Sequence, residues 1–221
     1  AMNSDGRWDP GKDFAFTTSP ATSPNQKFMA IWRASKPVIA QVHGWCVGGA
    51  SDYALCADLV IASDDAVIGT PYARMWGAYL TGMWLYRLSL AKVKWHSLTG
   101  EPLTGKEAAA VELINESVPF ERLEARVAEV AAKLARIPLS QLQAQKLIVN
   151  QAYENMGLAS TQTLGVILDG LMRNTPEARG FIDVAATEGV KAAVTRRDGP
   201  WDDYSQAPAD RQPDPSHVIE P

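Results

Sequence analysis

Gly44, Gly48, Gly49 and Asp52 are the residues whose types and spacing could do chemistry. The glycines follow an apolar, β-branched run, Pro37-Val38-Ile39-Ala40-Gln41-Val42, and lead into a short helical stretch from Ala50 that ends in a second strand-like run, Asp58 to Ala62. Strand, glycine turn, helix and strand in that order aim the first backbone N–H groups of the helix at one point. Those groups lack intrahelical partners, and with the positive end of the helix dipole they make a site for a developing oxyanion. Glycine also lets a ligand approach the main chain. Asp52 falls in the first helical turn, a position that capping and the dipole alone would favour.

Nucleotide folds use a similar device, but no G-x-G-x-x-G occurs in this turn and no G-x-x-x-x-G-K-[ST] occurs anywhere, so both phosphate fingerprints fail. With its flanks, Lys36 to Ala62 resembles the crotonase, or enoyl-CoA hydratase/isomerase, superfamily, whose members carry a K-P-V-I-A-x-V-x-G-x-x-x-G-G block followed by a C-D-like strand. Gly69-Thr70-Pro71 is similar to that family's G-x-P element, and Leu98-Thr99-Gly100-Glu101-Pro102-Leu103-Thr104 with Glu107-Ala108-Ala109 to its L-T-G-x-x-L-T-A-x-E-A segment. Leu113-Ile114-Asn115 with Val118-Pro119 resembles its L-V-x-x-V-V-P strand, and Gly189 to Arg197 its closing G-x-x-A-F-x-x-R helix. The likeness runs from about residue 27 to 200.

The resemblance implies an α/β fold, a crotonase-like ββα spiral incomplete at its N-terminus, followed by a helical C-terminal region that packs a homotrimer or a dimer of trimers. It implies an acyl-CoA thioester substrate, with coenzyme A as part of that substrate and no separate cofactor. Gly49 would hold the thioester oxygen as it becomes an enolate, while Trp45, Val47, Gly48, Pro71 and Trp76 would line the substrate. Asp52 stands where the family's hydratases place a catalytic Glu, one methylene shorter, so catalysis and capping both stay open for it. The second Glu of those hydratases is missing: Tyr72 follows the G-x-P element, and no Asp or Glu lies between Asp65 and Glu101. Tyr72 reads as a proton donor or, in an aromatic segment with Trp76, Tyr79, Trp84 and Tyr86, as a pocket-lining residue. Enoyl-CoA hydration is the default activity. A one-acid isomerase or decarboxylase is the alternative, and a catalytically silent subunit or fragment is another.

The 221 residues carry a net charge of −4 and 46% hydrophobic residues, enough for one core and no reason to expect nucleic acid or an anionic membrane. No apolar run reaches membrane-spanning length and no signal-peptide core is visible, so a cytoplasmic location is expected. Cys46 and Cys56 fit neither a metal knuckle nor a redox pair and read as buried free thiols. His43 suits a structural bond in the turn, and His96 and His217 have no partner at ligand spacing. Lys92, Lys94, Lys146, Arg196 and Arg197 could touch CoA phosphates, although basic side chains on helices are usually solvated. In the crotonase family an A-G-x-D-L turn precedes this region and supplies the other oxyanion N–H. The sequence opens where that turn would have ended, and Ala1 before Met2 reads as a tag scar, so a late-assigned start or a true truncation is expected.

Residues 1–24 read as a polar mobile loop and 25–138 as the α/β core, in which Ser23-Pro24 caps a helix carrying Phe28, Ile31 and Trp32. A strand is expected over Ala66 to Thr70, then helices over Met83 to Lys92, Trp95 to Leu98, Gly105 to Glu112 and Glu121 to Arg136. Residues 139–200 read as the helical oligomerisation region, with helices over Ser140 to Met156 and Ala159 to Met172 and a last one starting at Thr175-Pro176-Glu177. Residues 201–221, rich in Pro and Asp, read as a flexible tail.

Overall fold

The structure, a computed structural model, describes residues 8–74 and 76–204. The glycine-turn region folds as two three-stranded sheets. In the first, β1 (Ile39–Val42) pairs in parallel with β3 (Leu59–Ser63), which pairs in parallel with β6 (Glu116–Val118). In the second, β2 (Trp45–Val47) pairs in parallel with β4 (Val67–Gly69), and β4 pairs antiparallel with β5 (Leu103–Thr104). The sequence reads Trp45 to Val47 as part of a turn. Three residues are too few to show an alternating pattern, and their pairing partner lies 22 positions on, at Val67.

The strand regions read from apolar runs at β1, β3 and β4 are present, and so is β6, which the family resemblance implied. Short helices connect them: α2 (Pro24–Trp32) precedes β1 and α3 (Gly49–Ala54) joins β2 to β3. A 3-10 turn, Pro71–Arg74, follows β4. The expected helix over Met83 to Lys92 is broken into α4 (Met83–Arg87) and α5 (Leu90–Thr99), because Leu88 and Ser89 are extended and Ser89 starts the second helix. Next come α6 (Gly105–Ala110), held by a Thr104–Glu107 capping box, and α7 (Phe120–Ala135). The last four helices are α8 (Leu139–Asn155), α9 (Leu158–Met172), α10 (Pro176–Glu188) and α11 (Val190–Asp198). Met29, Trp32, Val60, Ile68, Met83, Trp84, Leu113 and Leu158 form one buried cluster, so α9 reaches the same core as the strands. Among the described residues no helix is long and apolar enough to cross a membrane.

Two regions differ from the loops expected at the chain ends. Within 1–24, Pro10–Thr18 forms helix α1, with Asp9 capping the Lys12 N–H and Pro10 in the first turn. Its buried Asp13 pairs with Arg173 beyond α9. Polarity reads as a loop when the compensating charge lies 160 residues away. At the other end, 198–204 is docked. Arg74, its side chain 3% exposed, pairs with Asp198 and Asp203 and lies under the Trp201 and Tyr204 rings, and the buried Tyr204 donates to the Gly100 carbonyl. The rest of the expected tail, 205–221, is outside the described residues.

Removing one partner of a buried ion cluster strands the others without a counter-charge. Arg74→Ala is therefore expected to lower the unfolding free energy by about 3 kcal/mol, read by urea denaturation, and to expose the peptide bonds around Trp201 to limited proteolysis. Wild-type stability with a protected segment would show that the latch contributes nothing.

Candidate active site

Gly48 adopts φ 61 and ψ −127, a conformation strained for any residue with a Cβ, and this reverses the chain between β2 and α3. Its N–H is committed to the Gly69 carbonyl at 2.8 Å. Its own carbonyl accepts the Ser51 N–H at 3.0 Å and the Ser51 hydroxyl at 2.8 Å. The indole of Trp84 donates to that same hydroxyl at 3.0 Å, which pins the first turn of α3 from the core side. The first N–H of α3, on Gly49, meets no acceptor among the described residues. A Cβ there would lie 3.8 Å from the Phe28 ring, so Phe28 of α2 walls the approach.

Asp52 has 0% of its surface exposed. Its Oδ2 accepts the Tyr72 hydroxyl at 2.7 Å, and its Oδ1 accepts the Thr81 hydroxyl at 2.8 Å and the Thr81 N–H at 3.3 Å. The Leu80 N–H is a further donor. Burial pushes the carboxyl above its ordinary value, and these donors pull it part of the way back. Burial, and then the Asp52 charge, push the Tyr72 phenol well up, so it stays neutral and is the donor of the pair. Its half-buried ring lies beside Gly48 and fills the space a side chain at Gly77 would need. Tyr79 stands edge-on to it at 5.8 Å, fixed by the Thr70 and Ser97 hydroxyls.

The structure thus brings Gly48, Gly49, Asp52 and Tyr72 together. Val47 is paired with Gly69, and Pro71 is buried at the start of the 3-10 turn that carries Tyr72. Trp45 stacks on Tyr204 at 6.2 Å, and Trp76 packs edge-on against Phe181 of α10 at 5.3 Å. His43 meets the Phe120 ring, and His96 bonds the Glu101 carbonyl at 2.8 Å. His217 is outside the described residues. Lys146 is an internal strut, bonded to Asp58 at 2.7 Å and to the Ile31 and Lys36 carbonyls. Arg196 pairs with Glu188 and Arg197 with Asp198. Cys46 and Cys56 are free and buried, their thiols pushed up to about 12 by burial.

Sequence reasoning missed Phe28, Leu80 and Thr81. The bracketing glycines Gly77 and Gly82, both at positive φ, are the only local sign that the stretch between them has a specific shape. Chemically, the site offers a free N–H for an oxyanion next to a neutral phenol backed by a buried carboxylate.

A model described as enoyl-CoA hydratase/isomerase matches residues 10–203. A Dictyostelium discoideum protein described as a probable mitochondrial enoyl-CoA hydratase is 31% identical over 137 residues, 59% of this chain and 50% of that protein. The 2,3-dehydroadipyl-CoA hydratase of Escherichia coli is 28% identical over 186 residues, 76% of this chain and 72% of the relative. The crystal structure of an enoyl-CoA hydratase from Mycobacterium smegmatis superposes with a TM-score of 0.82 at 37% identity, covering 89% of this chain and 66% of that one. The chain therefore spans half the length of the Dictyostelium relative and about two thirds of the M. smegmatis chain.

The Asp52 environment makes a pH prediction. A carboxyl whose folded pKa is raised contributes stability that is complete below the unfolded pKa and lost as pH rises through the folded one. Asp52→Asn removes that titration. Unfolding free energies of variant and wild type are expected to diverge in the variant's favour as pH climbs above 3.8, the ordinary value; parallel curves would contradict the raised pKa.

Proposed function

This chain belongs to the enoyl-CoA hydratase/isomerase family, and on that premise we propose that it acts on an acyl-CoA thioester, with hydration of an enoyl-CoA as its reaction. The observation that carries this reading is the free Gly49 N–H beside the Tyr72–Asp52 pair. The thioester oxygen sits on that N–H and gains negative charge there, an interaction worth about 3 kcal/mol in the transition state. Asp52 has no exposed surface, so Tyr72 is the group that meets the substrate. Water gives a proton to Tyr72 Oη as the tyrosine's own proton moves to Asp52 Oδ2. The water oxygen bonds to the β carbon, and the alkene electron pair moves into the enolate. The reverse relay then places the proton on the α carbon and returns Asp52 to its charged form. One water is added and the protein ends unchanged.

One observation favours a second reading. Tyr72 stands where the family resemblance places a second carboxylate, and a single phenol–carboxylate pair suits the shuttling of one proton. A double-bond isomerase, or a decarboxylase that protonates the enolate, uses the same relay without water. The E. coli and M. smegmatis relatives, named as hydratases, weigh toward hydration.

We further propose a homotrimer or a dimer of trimers, supported by apolar residues left exposed on α8 and α9, among them Leu147, Ile148, Leu164 and Leu171. The unpaired thiols support a reducing compartment, the cytoplasm. Coenzyme A enters only as part of the substrate.

The test is loss of the enoyl absorbance of crotonyl-CoA, with exchange of the α proton of butyryl-CoA in heavy water measured in parallel. Both reactions are expected, and Tyr72→Phe should slow both by roughly 100-fold or more. Exchange without hydration would select the isomerase reading. Acyl-CoA binding with neither reaction would identify a silent subunit and overturn the proposal.

A further inference from the structure

One face of α9 follows the loop 77–82 along its whole length. Leu158 and Thr161 both lie 3.5 Å from where a Cβ on Gly82 would be, and Gln162 Nε2 donates to the Thr81 carbonyl at 2.9 Å. Gly165 brings the helix so close to the Tyr79 carbonyl that any Cβ would overlap the oxygen. One turn further on, the Ala78 backbone favours the charged form of Asp169. These positions recur every three or four residues, as one stripe of a helix must. The same loop supplies the Leu80 and Thr81 donors to Asp52 and seats the Tyr72 ring over Gly77. Behind the stripe, Arg173 reaches both Asp169, at 3.1 Å, and Asp13 of α1, at 3.3 Å, so α9 is itself held in register.

We propose that α9 is the splint that sets the geometry of the Asp52–Tyr72 pair, with Gln162 and Gly165 as positioning residues that act through the loop 77–82. The inference rests on the reading of that pair as the proton relay. Gln162 satisfies a carbonyl in the interior, where an unpaired acceptor is costly, and so fixes the peptide units on either side of it. Gly165 sets the distance between helix and loop, and every larger residue changes that distance. Neither touches Asp52, and both control where its donors stand.

Charged and titratable groups face Asp52 from each element around it: Tyr72 from the 3-10 turn, Tyr79 from the loop, Asp169 from α9 and Cys56 just beyond α3. Loosening the loop alters the Leu80 and Thr81 donors, the seat of Tyr72 and the place of Tyr79. Those donors favour the carboxylate, so their loss raises the pH at which Asp52 ionises. The acidic limb of the rate profile, which needs ionised Asp52, moves up with it.

The experiment compares Gln162→Leu and Gly165→Ala with Thr163→Ala, a change on the exposed face of α9. Two readouts are taken on the full chain: the carbon-13 titration of the Asp52 carboxyl, which needs no substrate, and the pH profile of α-proton exchange on butyryl-CoA. Expected for Gln162→Leu are an upward shift in both and a fall in kcat of about tenfold with KM little changed, as for a displaced catalytic group. Gly165→Ala should go further, toward 100-fold, if it folds; Gln162→Leu decides the matter if it does not. Thr163→Ala should move neither. An unshifted Asp52 titration in Gln162→Leu overturns the splint. A shifted titration in a chain that shows no exchange upholds the splint and overturns the functional reading alone.

Discussion

A carboxylate with no exposed surface, one turn into α3, is the constraint on which the rest of the site depends. Taking such a charge out of water costs several kcal/mol even after relaxation, and the cost is offset only where donors meet the oxygens. α3 does not supply them: its Ser51 and Asp52 N–H groups bond the Gly48 carbonyl, and its Gly49 N–H meets no acceptor among the described residues. They come from the Tyr72 hydroxyl, 20 residues on, and from Leu80 and Thr81 beyond it. The position of Asp52 is thus settled by the segment that follows β4, and that segment is shaped by Gly77 and Gly82 and clamped by α9. A long stretch of chain has to be folded before this one residue is stable where it stands.

Several basic side chains that could have served an anionic substrate are spent on the same kind of task. Lys146, its side chain 7% exposed, ties α8 to Asp58, to the Ile31 carbonyl at the end of α2 and to the Lys36 carbonyl before β1. Arg74 anchors the 198–204 segment through two aspartates and two aromatic rings. A cation that is both nearly buried and paired is held by its partner and has little left to offer a phosphate. Arg196 and Arg197 are paired as well. Burial and partner together make Lys146 a strut between elements, whereas Arg196, Lys92 and Lys94 stay exposed.

How much of this was legible in the sequence follows from range. The Pro37 to Val42 strand, the glycine turn and the strand from Leu59 are local patterns, and they read correctly because β-branched runs and glycines carry their meaning within a few residues. Gly49 was legible for the same reason. The pairing of Asp52 with Tyr72 was not, because neither residue type announces a partner at that distance. α1 was hidden because the charge that neutralises Asp13 belongs to Arg173. Trp45 and Trp76, substrate-lining by the family resemblance, each have an aromatic partner, Tyr204 and Phe181, more than 100 residues away, which no local pattern announces. Thr81 and Leu80 carry no signature, since a backbone N–H can come from almost any residue.

A phenol beside the carboxylate, in place of a second acid, also fixes what the site can do with charge. Two carboxylates in contact repel, so one must hold a proton, and such a pair titrates as a unit. A phenol pushed up by burial and by Asp52 stays neutral across the physiological range, so the pair carries at most one charge. The phenol proton faces inward to Asp52, whose affinity for it burial raises, while the half-buried Tyr72 ring lies beside Gly48. The donors from Leu80 and Thr81 lower that affinity. Without them burial would push the carboxyl further up and tighten its hold on a proton; with less burial that hold would weaken. The loop under α9 is therefore the place where the fold sets the proton affinity of Asp52.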